Sequence, residues 1–291
     1  MHVFLITQYF PPEKGAAASR WGDYVNILIK NDYKVTVLCE APHYPNTYYY
    51  RGYKNKWLKI EKKHLNLTIL RSKTFSSNRQ GFFKKLAHYL IFTISAIINT
   101  RKVKNFDLVI ISSPPLFTGI IGIYIKKFLK KDYLFDLRDL WPDSALALKQ
   151  LSENLIFKLA KKLEYKIYES AKGFIFPVPG FRDYLLKLPK VTAQKPMFEL
   201  INGVSSDFIN HATSLKVNED KKFTVLYSGN LGLAQDLETT ILAAKKLENY
   251  DIYFRFIGEG VCKKDIIHLS ESLGVNKKVF FHNTMSRKEL I

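Results

Sequence analysis

Short apolar runs alternate with amphipathic stretches along the whole chain. His2 to Gln8 is apolar and ends at Pro11-Pro12. Gly15-Ala16-Ala17-Ala18-Ser19-Arg20 opens a helical pattern that runs to about Lys30, and Tyr33 to Cys39 is a β-branched strand. Strand, loop, helix and strand in that order open a parallel α/β sheet. Asn46 to Lys63 is aromatic, basic and irregular, and Asn66 to Arg71 reads as a strand. Phe82 to Lys104 is a long helix with basic ends and an apolar middle, and Asp107 to Ser112 is a buried strand. Leu116 to Lys131 is a helix whose C-terminal end carries Lys126, Lys127, Lys130 and Lys131, which suits its dipole. Tyr133 to Leu137, Phe174 to Val178 and Phe198 to Ile201 read as strands, with a helix over Leu155 to Ser170.

Polar and charged residues over 210–222 suggest a linker, and a second α/β start follows. Phe223 to Tyr227, Ile252 to Ile257 and Val279 to His282 are strands, and Leu237 to Glu248 and Val261 to Leu273 are helices. The pattern therefore predicts domains at 1–210 and 223–291, joined by 211–222. Three strands make a poor independent core, so the second domain is expected to be incomplete at its C-terminal end.

Composition adds one strong constraint. The 291 residues hold 45 Lys and Arg against 26 Asp and Glu, a net charge of +19, which calls for a polyanionic partner. Nucleic acid lacks a recognisable binding motif here. A phosphorylated small molecule or an anionic membrane surface remains, and the segments Tyr48 to Lys63 and Phe82 to Lys104 suit the latter. The alternative is that these are solvated faces of ordinary elements. No transmembrane helix is expected: Leu86 to Thr100 falls short of the roughly 20 residues a span needs, and Ser112-Ser113-Pro114-Pro115 interrupts Leu108 to Ile125. The opening Met-His-Val-Phe-Leu-Ile has no basic n-region, so it reads as a strand rather than a signal peptide. Cys39 and Cys262 stand far apart, which excludes a disulfide framework and suits a reducing compartment.

Parallel α/β units present ligands at the C-terminal ends of their strands, so the exit loops hold the candidates. Pro11 to Arg20 places small residues at a helix N-terminus, where free N–H groups can hold an anion, or simply make a tight turn. Asp136 to Asp143 combines acids, Arg138 and Trp141, which suits sugar or phosphate recognition. The plainer alternative is an Arg–Asp pair buttressing the loop, with Trp141 in the core. His43, in Pro42-His43-Tyr44-Pro45-Asn46, could serve acid/base chemistry or be structural. Ser228 to Gly232 and Gly258-Glu259-Gly260 are paired glycine loops that can frame a nucleotide diphosphate.

Taken in order, Tyr9-Phe10-Pro11-Pro12-Glu13 with Gly15 and Arg20, Pro42 to Pro45, Asp136 to Ser144, Asn202-Gly203-Val204, Tyr227 to Gly232 and Gly258 to Gly260 carry a resemblance. The chain resembles bacterial family 4 glycosyltransferases of GT-B fold, in particular the N-acetyl-L-fucosamine transferase-like branch of O-antigen and capsule synthesis. The resemblance implies an α/β protein with two Rossmann-like parallel-sheet domains facing across a cleft. It further implies retaining sugar transfer in lipopolysaccharide O-antigen or capsule synthesis. The donor is a UDP-sugar or similar in the second domain, and the acceptor a polyprenyl-diphosphate-linked glycan in the first. The enzyme would be cytoplasmic and peripheral on the inner face of the bacterial inner membrane, with no metal or other cofactor and no nucleic-acid partner.

By position, Asp139, Arg138 and His43 become candidate catalytic residues. Gly15, Ala16, Gly229, Asn230, Gly258, Glu259 and Gly260 become donor contacts, and Trp141 and Arg20 acceptor contacts. The chain also departs from the family pattern. Gly232-Leu233-Ala234-Gln235-Asp236 lacks the Arg and Lys that the family places near the diphosphate, and the family's Glu-x7-Glu segment would fall beyond Ile291. This form is therefore expected to have little transferase activity alone. The alternatives are a GT-B-type sugar-nucleotide epimerase and a non-catalytic acceptor-binding half.

Overall fold

A computed structural model describes residues 1–43, 48–75, 82–188, 194–203, 209–210, 213–214, 222–285 and 289. The chain divides into two compact units, Met1–Gly203 and Val204–Ile291. Most of the expected linker lies outside the described residues.

The first unit is an eight-stranded sheet. Its strands are β1 (His2–Ile6), β2 (Lys34–Glu40), β3 (Leu58–His64), β4 (Leu67–Ser72), β5 (Leu108–Ser112), β6 (Leu134–Asp136), β7 (Gly173–Phe176) and β8 (Met197–Glu199). They lie in the order β3-β4-β2-β1-β5-β6-β7-β8, and every pair is parallel except β3 with β4. The central strands are continuous Val, Ile, Leu and Phe runs because helices cover both faces. Helix α1 (Ala16–Lys30) closes one face by burying Trp21 and Val25 against Val3, Leu5, Val35 and Val37. Helices α2 (Phe82–Thr100), α3 (Thr118–Phe128) and α5 (Leu155–Ser170) close the other, with Phe92, Ile121 and Ile167 on Phe4, Ile6, Ile111 and Phe135. Short helices α4 (Asp143–Ala147) and α6 (Gly180–Leu186), absent from the sequence pattern, follow β6 and β7.

The irregular reading of 46–63 needs correction. Leu58–His64 is an edge strand, turned back on β4 through Leu65-Asn66 and paired antiparallel, Leu58 with Ser72. Its exposed Lys62 and Lys63 broke the apolar signal, and such charges are what keep an edge from pairing with another chain. The first sheet is therefore mixed rather than purely parallel.

The second unit is a three-stranded parallel sheet of β9 (Phe223–Ser228), β10 (Ile252–Ile257) and β11 (Val279–His282), in the order β11-β10-β9. Helices α7 (Leu237–Lys246) and α8 (Lys263–Ser272) pack on it through Ile241, Ala244 and Ile266 against Phe254 and Phe256. No described helix is long and apolar enough to cross a membrane.

Candidate functional site

Strand order reverses at β1, whose neighbours are β2 on one side and β5 on the other. Such a switch point opens a crevice beyond the strands' C-terminal ends, which is where α/β sheets bind ligands. The β1 exit loop leads into α1, whose first turn has neither a side-chain cap nor an acid. Gly15 and Ala16 are exposed there, and Gly15 has φ 147°, a conformation only glycine adopts easily. This N-terminus therefore keeps its N–H groups available for an anion. The loop is held from below by Arg71, fully buried. It donates to the carbonyls of Phe10 (3.4 Å) and Pro11 and to Cys39 Sγ (3.2 Å). Glu13 adds two bonds, accepting from the backbone N–H groups of Phe10 and His43 at 3.2 and 3.0 Å.

Asp136, at the end of β6 and fully buried, is the polar hub of the first unit. Its Oδ2 accepts from Ser112 Oγ at 2.7 Å and Trp21 Nε1 at 3.1 Å, and its Oδ1 from Arg20 Nη2 at 3.3 Å. Arg138 Nε lies 4.0 Å from Asp136 Oδ2 and donates to the Ser113 carbonyl at 3.1 Å. Burial pushes the Asp136 carboxyl above its usual range, against the pull of Arg20 and Arg138. The same burial lowers the Arg138 guanidinium from its ordinary value, opposed by Asp136.

Two sequence expectations change here. Arg20, expected to face the acceptor, is buried and spends its guanidinium on Asp136 and on Asn202 Oδ1 at 2.5 Å. It ties α1 to β6 and to the loop after β8. Arg138 braces against Asp136 and Ser113, so the buttressing alternative describes much of its geometry. Asp139 is half-exposed and, among the described residues, its carboxylate makes no hydrogen bond or ion pair. Trp141, also half-buried, packs on the core with its ring 6.2 Å from Phe117.

His43 differs more sharply from its expected role. Its side chain is fully buried, 3.1 Å from the Ala41 carbonyl through Nδ1 and 3.5 Å from Glu40 Oε1. It belongs to a network that sequence spacing did not reveal. Gln8 Nε2 donates to Glu40 Oε2 at 2.8 Å and to His88 Nε2 at 2.6 Å. His88 Nδ1 lies 2.6 Å from the Phe75 carbonyl, which puts the proton on Nδ1 and leaves Nε2 to accept from Gln8. Thr74 Oγ1 donates to Glu40 Oε2 at 2.9 Å. Glu40, His43 and His88 bring ligand atoms within 4.8 Å of one another, a metal-capable group assembled from the end of β2 with its exit loop and from α2. The Gln8 amide already bridges His88 and Glu40, so a metal bound between those two would have to displace it. Gln8 and His88 escaped the sequence reading, although a buried polar residue inside an apolar run is the signal that marks them.

In the second unit the exit loops of β9 and β10 lie backbone against backbone. Gly229 N–H donates to the Ile257 carbonyl (3.0 Å), Leu231 N–H to Glu259 (3.0 Å) and Gly258 N–H to His282 (3.1 Å). A Cβ on Gly258 would stand 1.9 Å from the Gly229 carbonyl oxygen, and one on Gly260 would stand 2.1 Å from that of Leu231. These glycines are thus required by the approach of the two loops, and the N–H groups of Gly229 and Gly258 are already engaged. Asn230 and Glu259 are exposed at the rim. Lys263, at the start of α8, donates to Glu259 Oε1 at 2.7 Å and Asn283 Oδ1 at 3.0 Å, fastening the β10 and β11 exits together. It escaped notice because its partners are distant in sequence or ordinary in type.

Comparison with known proteins agrees with this architecture. Residues 211–291 match the family described as Glycosyl transferases group 1. Over 293 aligned residues the chain is 22% identical to "Putative colanic acid biosynthesis glycosyl transferase WcaI" of Escherichia coli (strain K12), covering 97% of this chain and 71% of that protein. The catalytic domain of starch synthase IV from Arabidopsis thaliana, bound to ADP and acarbose, superposes with a TM-score of 0.65 at 9% identity. That match covers 98% of this chain and 74% of the other. Anabaena Alr3699/HepE in complex with UDP-glucose gives 0.58 at 12% identity, covering 99% and 70%. The chain has a GT-B-like α/β fold, and its residues 211–291 carry the match to the group 1 glycosyl transferases.

Proposed function

We propose that this chain transfers a sugar, with retention, from a UDP-sugar or similar donor to a polyprenyl-diphosphate-linked glycan in bacterial surface-polysaccharide synthesis. The observation that carries the reading is a coincidence of location. The family match over 211–291 falls on the unit whose adjacent exit loops, Ser228 to Gly232 and Gly258 to Gly260, are built to approach each other closely. The UDP-glucose held by the Anabaena relative and the colanic acid assignment of the Escherichia coli relative support the donor and product classes. Within the class, N-acetyl-L-fucosamine in an O-antigen or capsule is our sugar assignment.

The leaving group is a nucleoside diphosphate, whose developing charge needs preorganised donors. Within the first unit, the uncapped N-terminus of α1 at Gly15 and Ala16 is the group ready for an anion. On the second, Asn230, Glu259 and Gly260 contact the donor, and Lys263 is the basic group fastened at that rim. It answers the missing Arg and Lys in 232–236. Arg138 and Asp139 meet the sugars from β6, with the Asp139 carboxylate accepting hydrogen bonds from sugar hydroxyls, and Trp141 offers its ring to the acceptor. Gly229, Gly258, Arg20 and His43 act through packing and positioning. A donor phosphate oxygen takes the acceptor proton, so no protein base and no metal is invoked. On this reading the chain works in the cytoplasm, beside its lipid acceptor on the inner face of the inner membrane.

The test is to incubate the purified chain with UDP-N-acetyl-L-fucosamine or UDP-glucose and a polyprenyl-diphosphate-linked disaccharide. Slow recovery of sugar in the lipid fraction, with its anomeric configuration kept, is the expected result, and turnover at ordinary enzyme rates would overturn the expectation of a little-active form. An isomerised sugar nucleotide formed without acceptor would identify an epimerase instead. Acceptor binding with no turnover would mark a non-catalytic acceptor-binding unit.

A further inference from the structure

Three metal-ligating side chains and one unsatisfied amide oxygen meet beside the ends of β1 and β2. Glu40, His43 and His88 are each fully buried, and each brings a ligand atom within 4.8 Å of the other two. Glu40 Oε2 lies 3.3 Å from His88 Nε2. Two ligand atoms on a tetrahedral zinc ion, with bonds of about 2.0–2.1 Å, stand about 3.3–3.4 Å apart. A carboxylate with two imidazoles is a donor set that zinc takes readily.

The groups behind these side chains hold them as ligands are held. His88 Nδ1 lies 2.6 Å from the Phe75 carbonyl, which keeps the proton on Nδ1 and turns a lone pair on Nε2 toward Glu40. Metal-binding imidazoles are commonly fixed in this way, by a second N–H on a backbone carbonyl. Thr74 Oγ1 donates to Glu40 Oε2 at 2.9 Å and orients the carboxylate.

Gln8 is an independent sign. It follows β1, is fully buried, and its Oε1 has no hydrogen-bond partner among the described residues. A buried carbonyl oxygen without a partner is both costly and rare. Its Nε2 meanwhile donates to Glu40 Oε2 at 2.8 Å and to His88 Nε2 at 2.6 Å. Half a turn of the carboxamide exchanges the two atoms. Oε1 would then face a carboxylate oxygen and an imidazole lone pair, and three acceptors at such distances need a cation between them. Without the ion, the amide N–H group fills its place.

We propose that Glu40, His43, His88 and Gln8 form a structural zinc site that pins the exits of β1 and β2 to helix α2. Glu40, His88 and a ring nitrogen of His43 are three ligands, and Gln8 Oε1, turned inward, is the fourth. Four protein ligands in a buried setting leave no open position, which is the mark of a structural rather than a catalytic zinc. None of the four is assigned to a donor or acceptor contact. Failure of sugar transfer therefore leaves the site standing, and absence of the metal leaves sugar transfer open.

The test uses the chain purified without a polyhistidine tag, stripped with a chelator and dialysed against zinc or cobalt(II). After gel filtration, elemental analysis should find one zinc per chain. Cobalt(II) should give the strong visible absorption of a tetrahedral site, abolished by added zinc. X-ray absorption at the zinc edge should show nitrogen and oxygen ligands, two of them imidazoles, and no sulfur. Glu40→Gln and His88→Gln should each lower bound zinc by at least about tenfold. His268→Ala, at an exposed histidine, should leave it unchanged. Retention of less than about half an equivalent by the native chain would overturn the proposal. So would sulfur in the ligand shell, which would place the ion on a cysteine, or full zinc content in a folded Glu40→Gln variant. Where neither variant folds, the zinc count and the X-ray absorption of the native chain decide by themselves.

Discussion

Asp136 shows how one side chain can organise a site without touching a substrate. It gathers Ser112, Trp21, Arg20 and Arg138 from two elements and a loop. Replacing it with Ala would leave two guanidinium groups facing each other in a buried setting. Asp136→Ala should cost about 3–5 kcal/mol, read by urea denaturation of the first unit. Asp139 should behave oppositely. Half-exposed beside Arg138 and without a hydrogen bond among the described residues, Asp139→Asn should leave the denaturation midpoint nearly unchanged and lower transfer roughly tenfold through a weaker hydrogen bond to a sugar hydroxyl. Equal loss of stability would reassign it to structure. Cys39 is fully buried, and burial raises its thiol to about 12. At pH 8 it carries almost no thiolate, so a thiol reagent should modify Cys262 in the native protein and Cys39 only after denaturant is added.

Elements carry a second class of consequence. The β9 and β10 exit loops meet at Gly258, which has φ 151° and no room for a Cβ. Gly258→Ala should destabilise the second unit by about 3 kcal/mol, through backbone strain and overpacking, and should expose 222–285 to protease. At this scale the sequence was informative where elements are central and regular. The bounds of α5, Leu155–Ser170, are those its periodicity predicts, and β1, β2, β4 and β5 fall on their apolar runs. It was poorly informative at edges. β3 alternates lysines with Leu58 and Ile60, and α4 and α6 are too short for a helical period to register.

The two units have separate cores, one built on Phe4, Phe135 and Phe174 and its reverse face, the other on Phe254, Phe256 and Ile241. Protease sensitivity from Asp136→Ala should accordingly appear in 1–203, and that from Gly258→Ala in 222–285. Mass spectrometry of the fragments distinguishes this from a single cooperative collapse. The candidate chemistry divides the same way: an anion-ready helix start and the β6 exit in the first unit, the paired loops and Lys263 in the second.

The sequence by itself determined the class of the protein. Runs of apolar residues separated by helical periods can hardly make anything but α/β units, because strand and helix each bury one face locally. The order of its loop motifs then resembled one glycosyltransferase family, and the net charge pointed to an anionic partner. Only the tertiary structure decided what the motif residues do. Arg20, His43 and Gly258 read alike as site residues in a string, yet burial and long-range partners turn all three inward. Glu40 and His43 meet His88 only because the exit of β2 and helix α2 converge beside the sheet. Thr93, Ser95 and Asn99 of α2 are buried beside Phe92 and Ala96, although nothing in the apolar run marks them for it. Hydrogen-bond partners remote in sequence make that burial favourable, and nothing in a local pattern can announce them.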